Sequence, residues 1–313
     1  ALGDPHTVFF QPVQAKQFQE DVRGNFGGIG AEIGIRKDIL TVIAPLKGSP
    51  AERAGLKSGD KILKINATST DGLSLEESVG LIRGKIGTTV TLMVFRDLFS
   101  EPKEFKVKRE NIVIPILDAQ SKSDGIFYIH LFNFNEKSPQ EFRSAVRQYL
   151  TSGDRKIILD LRGNPGGYLS ASVEIASWFV PTGDVVAREK FADSSETLYR
   201  SSGNRLLENV PIVVLINQGS ASASEILAGA LRDIRGVKLV GEKTFGKGSV
   251  QELNDLRGGA SLKITIAKWL TPKGASIDGT GLEPDIKVEV KKEDIEGNKD
   301  PQLEKAIELL RTM

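Results

Sequence analysis

The 313-residue chain exceeds an average single domain, which predicts two domains and a sizeable buried core. Its 42 Lys and Arg against 41 Asp and Glu leave a net charge of +1, which gives no basis for a nucleic-acid or anionic-membrane partner. The absence of cysteine excludes disulfides, cysteine nucleophiles and thiolate metal sites, and two histidines without clustered ligand spacing give metal catalysis little support.

Residues 1–24 are polar and Gln-rich, and the spacing of Phe10, Val13, Phe18 and Val22 predicts a short helical piece belonging to the larger domain. No apolar run approaches a membrane span, and the N-terminus lacks a charged-then-apolar leader. From Phe26 the pattern changes to short apolar runs between turn residues: Ile29 to Ile35, Leu40 to Ala44, Lys61 to Ile65 and Val90 to Phe95. Two helices interrupt these strands, one at Ala51–Ala54 and one at Ser74–Ile82, where Ser74 caps ahead of Glu77 and Leu75, Val79 and Ile82 share a face. Alternation over Glu101–Pro115 predicts strands leading out of this small domain into the larger one.

The remainder reads as α/β. Strand Phe127–Phe132 precedes a helix near Pro139–Leu150, then follow strand Ile157–Leu161, helix Leu169–Trp178, and strands Val185–Glu189 and Ile212–Ile216. Helix Ser224–Arg232, strand Lys238–Val240 and an amphipathic helix Pro301–Arg311, packing through Leu303, Ile307 and Leu310, complete the order. No internal repeat or low-complexity tract is present.

Chemistry concentrates in three small-residue runs. Ser222 lies in Asn217–Ile226, just ahead of a predicted helix, where the outward N–H groups of the first turn, Ala223 among them, can stabilise an oxyanion. A serine hydroxyl needs a base. His6 lies in the N-terminal segment and His130 reads as a half-buried strand residue, which leaves Lys247 in the run Thr244–Gln251. A free lysine has a pKa near 10.4, so holding it neutral at pH 7 costs about 4–5 kcal/mol unless its surroundings supply the shift. Gly246 and Gly248 permit close packing, Phe245 and Val250 are expected to exclude water, and Gln251, four residues on, shares a face with Lys247 on a strand or helix. The third run, Ile157–Leu169, reads as a buried strand, a glycine turn and a helix. Its turn is either a plain βα connection or a second oxyanion donor.

These runs resemble those of the carboxyl-terminal processing peptidases, the tail-specific serine/lysine proteases that carry a PDZ domain. The matching pieces are Asp160 to Gly167, Ser220 to Glu225 and Thr244 to Gln251, in the family's order. The resemblance implies a Ser222 nucleophile, a Lys247 base oriented by Gln251, and an oxyanion hole from the amides of Gly167 and Ala223, with Ser220 and Ser224 as packing or capping hydroxyls. It implies a crotonase- or ClpP-like spiral core over 1–24 and 98–313, no cofactor or metal, and an extracytoplasmic setting such as periplasm, cell envelope or thylakoid lumen. The targeting segment would be absent here, since the chain opens inside what looks like the family's Leu2–Thr7 segment.

Residues 25–97 resemble a PDZ domain through Gly28 to Ala31, Ser49 to Leu56, Gly59 to Asn66 and Ile82 to Gly84. Such a domain adds a peptide as a strand. Gly28 opens the terminus-binding run, the amides of Ile29, Gly30 and Ala31 would cradle a terminal carboxylate, and Ile33 with helix Ser74–Ile82 would take an apolar last side chain. The resemblance further implies that Arg83 couples a bound tail to the protease, against a plain role in satisfying last-turn carbonyls. Expected partners are protein or peptide C-terminal tails, with an adaptor protein or self-assembly left open and no nucleic acid. Two other classes compete: a non-catalytic peptide-binding or chaperone-like PDZ protein, and a crotonase-type acyl-CoA enzyme. Neither accounts for Lys247 paired with Ser222.

Overall fold

The computed structural model describes residues 7–12, 15, 25–36, 38–46, 48–96, 99–113, 116–203, 205–291, 293–294, 297 and 299–313. Most of the helix expected between Phe10 and Val22 lies outside them. Phe10 itself ends a strand, β1 (Val8–Phe10). The chain divides into two compact units, residues 17–114 and the remainder.

The smaller unit starts with β2 (Asn25–Gly28), followed by β3 (Ala31–Arg36) and β4 (Ile39–Pro45). Helix α1 (Pro50–Arg53) precedes β5 (Lys61–Ile65) and β6 (Thr68–Ser69), and α2 (Leu75–Ile82) precedes β7 (Thr89–Phe95). The strands β8 (Lys103–Lys108) and β9 (Glu110–Val113) close the unit. The main sheet runs β3-β4-β5-β7-β8 with β6 on β5, while β2 pairs with β9. Residues 103–113, which the sequence reads as a passage to the larger domain, thus return along β7 and β2 within this unit. Alternation identifies a strand but not its partner.

Ile62, Ile65, Val90, Leu92 and Val94 point into one core closed by Ile29, Val42 and Ile82. Ser74 and Glu77 form the expected reciprocal cap on α2. At its other end the Arg109 guanidinium donates to the carbonyls of Ile82 (2.7 Å) and Leu81 (3.0 Å). Arg109 thus satisfies these orphan carbonyls, and its burial holds its pKa below the usual arginine value.

The larger unit is built on two sheets. Its central sheet contains β10 (Leu117–Ser121), β11 (Ile126–Leu131), β12 (Lys156–Asp160), β15 (Ile212–Ile216), β16 (Lys238–Gly241) and β19 (Ile286–Lys287), in that order. Only β10 is antiparallel to its neighbour. The crossovers carry α3 (Ser138–Ser152), α4 (Leu169–Ala176) and α5 (Ala223–Arg235). Ile157, Leu159, Ile212 and Val214 face one buried cluster with these helices, whereas Ile158, Val213 and Leu215 face another closed by Ala306 and Leu310 of α6 (Pro301–Arg311). A parallel strand covered on both faces needs the unbroken apolar runs seen at 157–159 and 212–216.

The second sheet, β1-β18-β13-β14 with β17 also on β18, joins β13 (Val185–Phe191) to β1 and to three further strands outside the sequence expectation. These are β14 (Glu196–Arg200), β17 (Ser249–Asp255) and β18 (Ser261–Leu270). β14 is mostly exposed and β18 mixes buried and half-buried positions without strict alternation, so neither carries a clear period-two signal.

Candidate active site

Three adjacent parallel strands, β12, β15 and β16, end at the same edge of the central sheet, and each is followed by one of the chemistry-bearing runs. Loops beyond the carboxyl ends of parallel strands are where α/β sheets place their sites. Parallel register thus converges the residues at 162–167, 217–222 and 242–248.

Ser222 is the N-cap of α5, with φ 55° and ψ −115°. That combination lies outside the regions L-residues ordinarily occupy, so surrounding contacts must hold it. Its two serine neighbours are committed elsewhere. Fully buried Ser220 donates its hydroxyl to the Leu161 carbonyl (2.7 Å), and fully buried Ser224 donates to the Asn164 carbonyl (2.9 Å). Ser222 alone of the three is only half-buried.

The glycine turn lies directly against this serine. A methyl group on Gly166, whose φ is +96°, would fall 2.8 Å from the Ser222 Cβ and 2.9 Å from the Ala223 nitrogen. At Gly167 (φ +142°) it would meet the Phe134 carbonyl oxygen at 2.2 Å, so both positions require glycine. Neither the Gly167 nor the Ala223 amide has an acceptor among the described residues. The turn is held by Asn164, fully buried, whose side chain donates to the Leu131 carbonyl (2.7 Å) and accepts from the Gly166 amide (2.9 Å). The Asn164 carbonyl also accepts from the Ala221 amide (3.0 Å).

Glu225 joins the serine to the lysine. It is fully buried, and its carboxylate accepts from the amides of Ser222 (2.8 Å), Gly246 (2.8 Å) and Lys247 (3.0 Å) and from the Thr244 hydroxyl (2.6 Å). The Ser222 and Lys247 amides end on the same oxygen, Oε2. Burial raises the Glu225 pKa above the ordinary glutamate value, although the bonds from Thr244, Gly246, Ser222 and Lys247 act in the opposite sense. The lysine loop is gripped from the other side by 277–282. There the Gly279 amide donates to the Gly246 carbonyl (2.9 Å), and the Leu282 amide to the Thr244 hydroxyl (2.6 Å).

Lys247 is half-buried and lies in irregular backbone ahead of β17, not on the strand or helix assumed for its spacing to Gln251. A bulge between Val250 and Gln251 further shifts the register. Phe245 does not shield the lysine as expected, being 66% exposed, whereas Val250 is buried. The four-residue spacing to Gln251 therefore loses its simple geometric reading.

Asp160 and Arg162 serve the scaffold. The Arg162 guanidinium donates to both oxygens of fully buried Asp160 and of Asp300, at 2.6–3.0 Å, and to the Gln302 side chain, tying α6 to the end of β12. The Tyr128 hydroxyl donates to Asp160 (2.7 Å), and its pKa is pushed up by burial and by that carboxylate. Burial alone would lower the Arg162 pKa, but the two aspartates more than offset it. His130 faces the Arg162 carbonyl at 3.3 Å from its strand, as its apolar setting led one to expect.

In the smaller unit β3 is the end strand of its sheet and packs beside α2. Gly28 is buried at the end of β2, and Gly30 has φ +70° with no room for a Cβ against Ser49. The Ile29 and Gly30 amides have no acceptor among the described residues, Ala31 opens β3, and Ile33 is half-buried on it. Arg83 is half-buried at the C-cap of α2.

Glu225, Asn164, Arg109 and the 277–282 segment were missed as functional supports by the sequence reading. For Glu225 a signal existed: Ser222-x-x-Glu225 ahead of an apolar helix is a capping-box pattern.

The smaller unit presents an end strand beside a helix, and the larger an α/β core that carries Ser222 and the Lys247 loop at one edge of its central sheet. Peptidase family S41 matches residues 125–288 and a PDZ domain matches residues 41–96. The chain belongs to peptidase family S41. Over 293 residues it is 41% identical to a probable CtpA-like serine protease of Staphylococcus aureus, covering 93% of this chain and 58% of that protein. It is 36% identical over 290 residues to the carboxy-terminal processing protease CtpA of Bacillus subtilis, covering 93% and 62%. The chain thus spans about three fifths of the length of these relatives. Among solved structures, a photosystem II D1 C-terminal processing protease is 29% identical, with a TM-score of 0.64 over 91% of this chain and 78% of that one. A putative S41 protease from Bacteroides fragilis shares the fold at 18% identity, with a TM-score of 0.63 over 91% and 83%.

Proposed function

We propose that this chain is a serine endopeptidase that binds the C-terminal tails of protein substrates through its PDZ domain and cleaves them through an acyl-enzyme. The observation that carries the reading is the single Glu225 oxygen accepting from both the Ser222 and Lys247 amides, which fixes two residues remote in sequence beside one another.

In this mechanism the neutral Lys247 amine takes the Ser222 hydroxyl proton as the oxygen attacks the peptide carbonyl. The carbonyl oxygen becomes an oxyanion facing the Gly167 and Ala223 amides, a role supported by their having no acceptor among the described residues. Lysine returns the proton to the leaving amine, the C–N bond breaks, and water hydrolyses the ester. Gln251 orients the lysine. A tail adds beside β3 with its carboxylate on the Gly28–Ala31 run and its last side chain against Ile33. An extracytoplasmic location belongs to the same proposal.

Mass spectrometry of products from a tagged tail-peptide library, combined with a fluorophosphonate probe, tests it. Products cut upstream of apolar C-termini and a probe adduct on Ser222 are expected. An adduct on another residue, or no turnover of any tail, would sink the assignment. Coupling through Arg83 is a separate element: Arg83→Ala is expected to reduce tail-stimulated activity while tail affinity holds. Unchanged stimulation removes Arg83 from the coupling.

A further inference from the structure

Phe245 is the most exposed large apolar side chain among the described residues, at 66%. Isolated surface hydrophobics are ordinary, so exposure alone carries little. Here, however, the backbone bearing the ring is fixed at three consecutive residues. The Thr244 amide donates to the Leu282 carbonyl (3.1 Å), the Phe245 amide to the Ser220 carbonyl (3.0 Å) and the Gly246 amide to Glu225 (2.8 Å). Gly246, at φ +89°, lies against the backbone of 279–281 so closely that a Cβ would meet the Gly281 nitrogen at 2.9 Å. The ring is therefore held in solvent on a rigid support whose amide bonds to Ser220, two residues before Ser222, and which lies two residues before Lys247 along the chain.

The side of the site on which it stands is set by the chemistry. Ser222 has the Gly166–Gly167 turn against it, with the Gly167 and Ala223 amides, which lack an acceptor among the described residues, to hold the oxyanion. The lysine loop approaches separately, through Glu225. A lysine that returns a proton to the leaving nitrogen must stand on the leaving-group side of the scissile bond. Phe245 belongs to that loop.

We propose that the Phe245 ring is the apolar wall of the subsite receiving the first side chain of the released segment, and that it makes this peptidase prefer an apolar residue immediately after the cut. The inference rests on the Ser222–Lys247 reading. An apolar side chain there would cover a ring otherwise left in water, a contact that discriminates by roughly 10-fold or more between large apolar and small residues.

The test compares wild type, Phe245→Ala and Phe245→Leu on peptides that vary only the residue before or only the residue after the cleaved bond. For Phe245→Ala, kcat/KM is expected to fall about tenfold when the residue after the bond is Leu, Val or Phe, and by less than about threefold when it is Gly or Ser. Phe245→Leu should restore most of the loss. The rate of fluorophosphonate attachment, which involves no peptide leaving group, should hold in all three proteins. Uniform loss on every peptide, a dependence on the residue before the bond, or slower labelling in Phe245→Ala would each overturn the proposal. Failure of wild type itself to label at Ser222 would instead overturn the underlying reading of the site.

Discussion

On the proposed mechanism, Glu225→Ala is expected to lower kcat nearly as completely as Ser222→Ala or Lys247→Ala, by at least about 10²-fold, with Glu225 acting only as a positioning residue. Its removal leaves the Ser222, Gly246 and Lys247 amides and the Thr244 hydroxyl facing a void, and each buried donor left unpaired costs about 1–3 kcal/mol. Glu225→Gln should be milder, for a reason specific to the bonding. With its NH2 group on the Oε1 side, the amide can donate to the Thr244 oxygen, at the loss of that hydroxyl's own acceptor, and it conflicts with the Gly246 N–H. Its oxygen then keeps the Ser222 and Lys247 amides. The expected order of kcat is wild type, then Gln, then Ala, with melting temperatures in the same order. Equal activity in wild type and Glu225→Ala would remove the carboxylate from the site's assembly.

The same carboxylate predicts a pH effect of known sign. Because burial raises its folded pKa, charging it costs stability as pH rises through that value, and acidification relieves the cost. Protonation also turns one acceptor oxygen into a donor. Activity is therefore expected to decline on the acid side at a higher pH than an ordinary glutamate would produce, while this group's contribution to folding improves. Glu225→Gln should lack that limb of the kcat profile.

The second large effect concerns the scaffold. Arg162→Ala should destabilise the protein by about 3–5 kcal/mol, because it leaves the fully buried Asp160 charge with the Tyr128 hydroxyl and the 162 amide as its partners among the described residues. The corresponding fall in Tm is on the order of 10 °C. Asp300→Ala should cost less, since Asp300 is 37% exposed and Asp160 still holds the guanidinium. Thermal melts of both variants check the order, and an Arg162→Ala protein as stable as Asp300→Ala would contradict it. The Asp300 pKa is lowered: burial alone would raise it, but Arg162 together with the Leu303 and Gln302 amides outweighs burial. Its share of stability is thus present above the unfolded aspartate pKa and is lost as pH falls through the lowered folded value.

What the sequence disclosed follows from the range over which each signal acts. The apolar runs at 157–159 and 212–216 declare buried parallel strands because both faces of each need covering, and helix Pro301–Arg311 matches its expected bounds because Asp300 caps it and its apolar stripe is regular. Ser220 and Ser224 take the packing roles expected beside Ser222. Contacts made across the fold were harder to see. Asp160 and Arg162 stand two apart in a motif suggestive of the oxyanion turn, yet Asp160 pairs with Arg162 and Tyr128, and Arg162 reaches on to Asp300 and Gln302 at the start of α6, some 140 residues onward. The misjudged shielding by Phe245 has a similar origin, since hydrophobicity says nothing about which way a loop turns its ring. Gln251 shows the limit of spacing arguments, because one bulge is enough to undo a period of two.

The backbone of Ser222, at φ 55° and ψ −115°, sets this position against the rest of the chain. Conformational energy of about 1–3 kcal/mol is held there by bonds that hundreds of other residues make possible. A glycine would rest in that conformation without penalty but would carry no hydroxyl, and a threonine would bring the oxygen with a branched carbon that worsens the crowding against Gly166. A screen for thermal endurance alone is therefore expected to replace this serine with glycine before it touches the buried serines on either side.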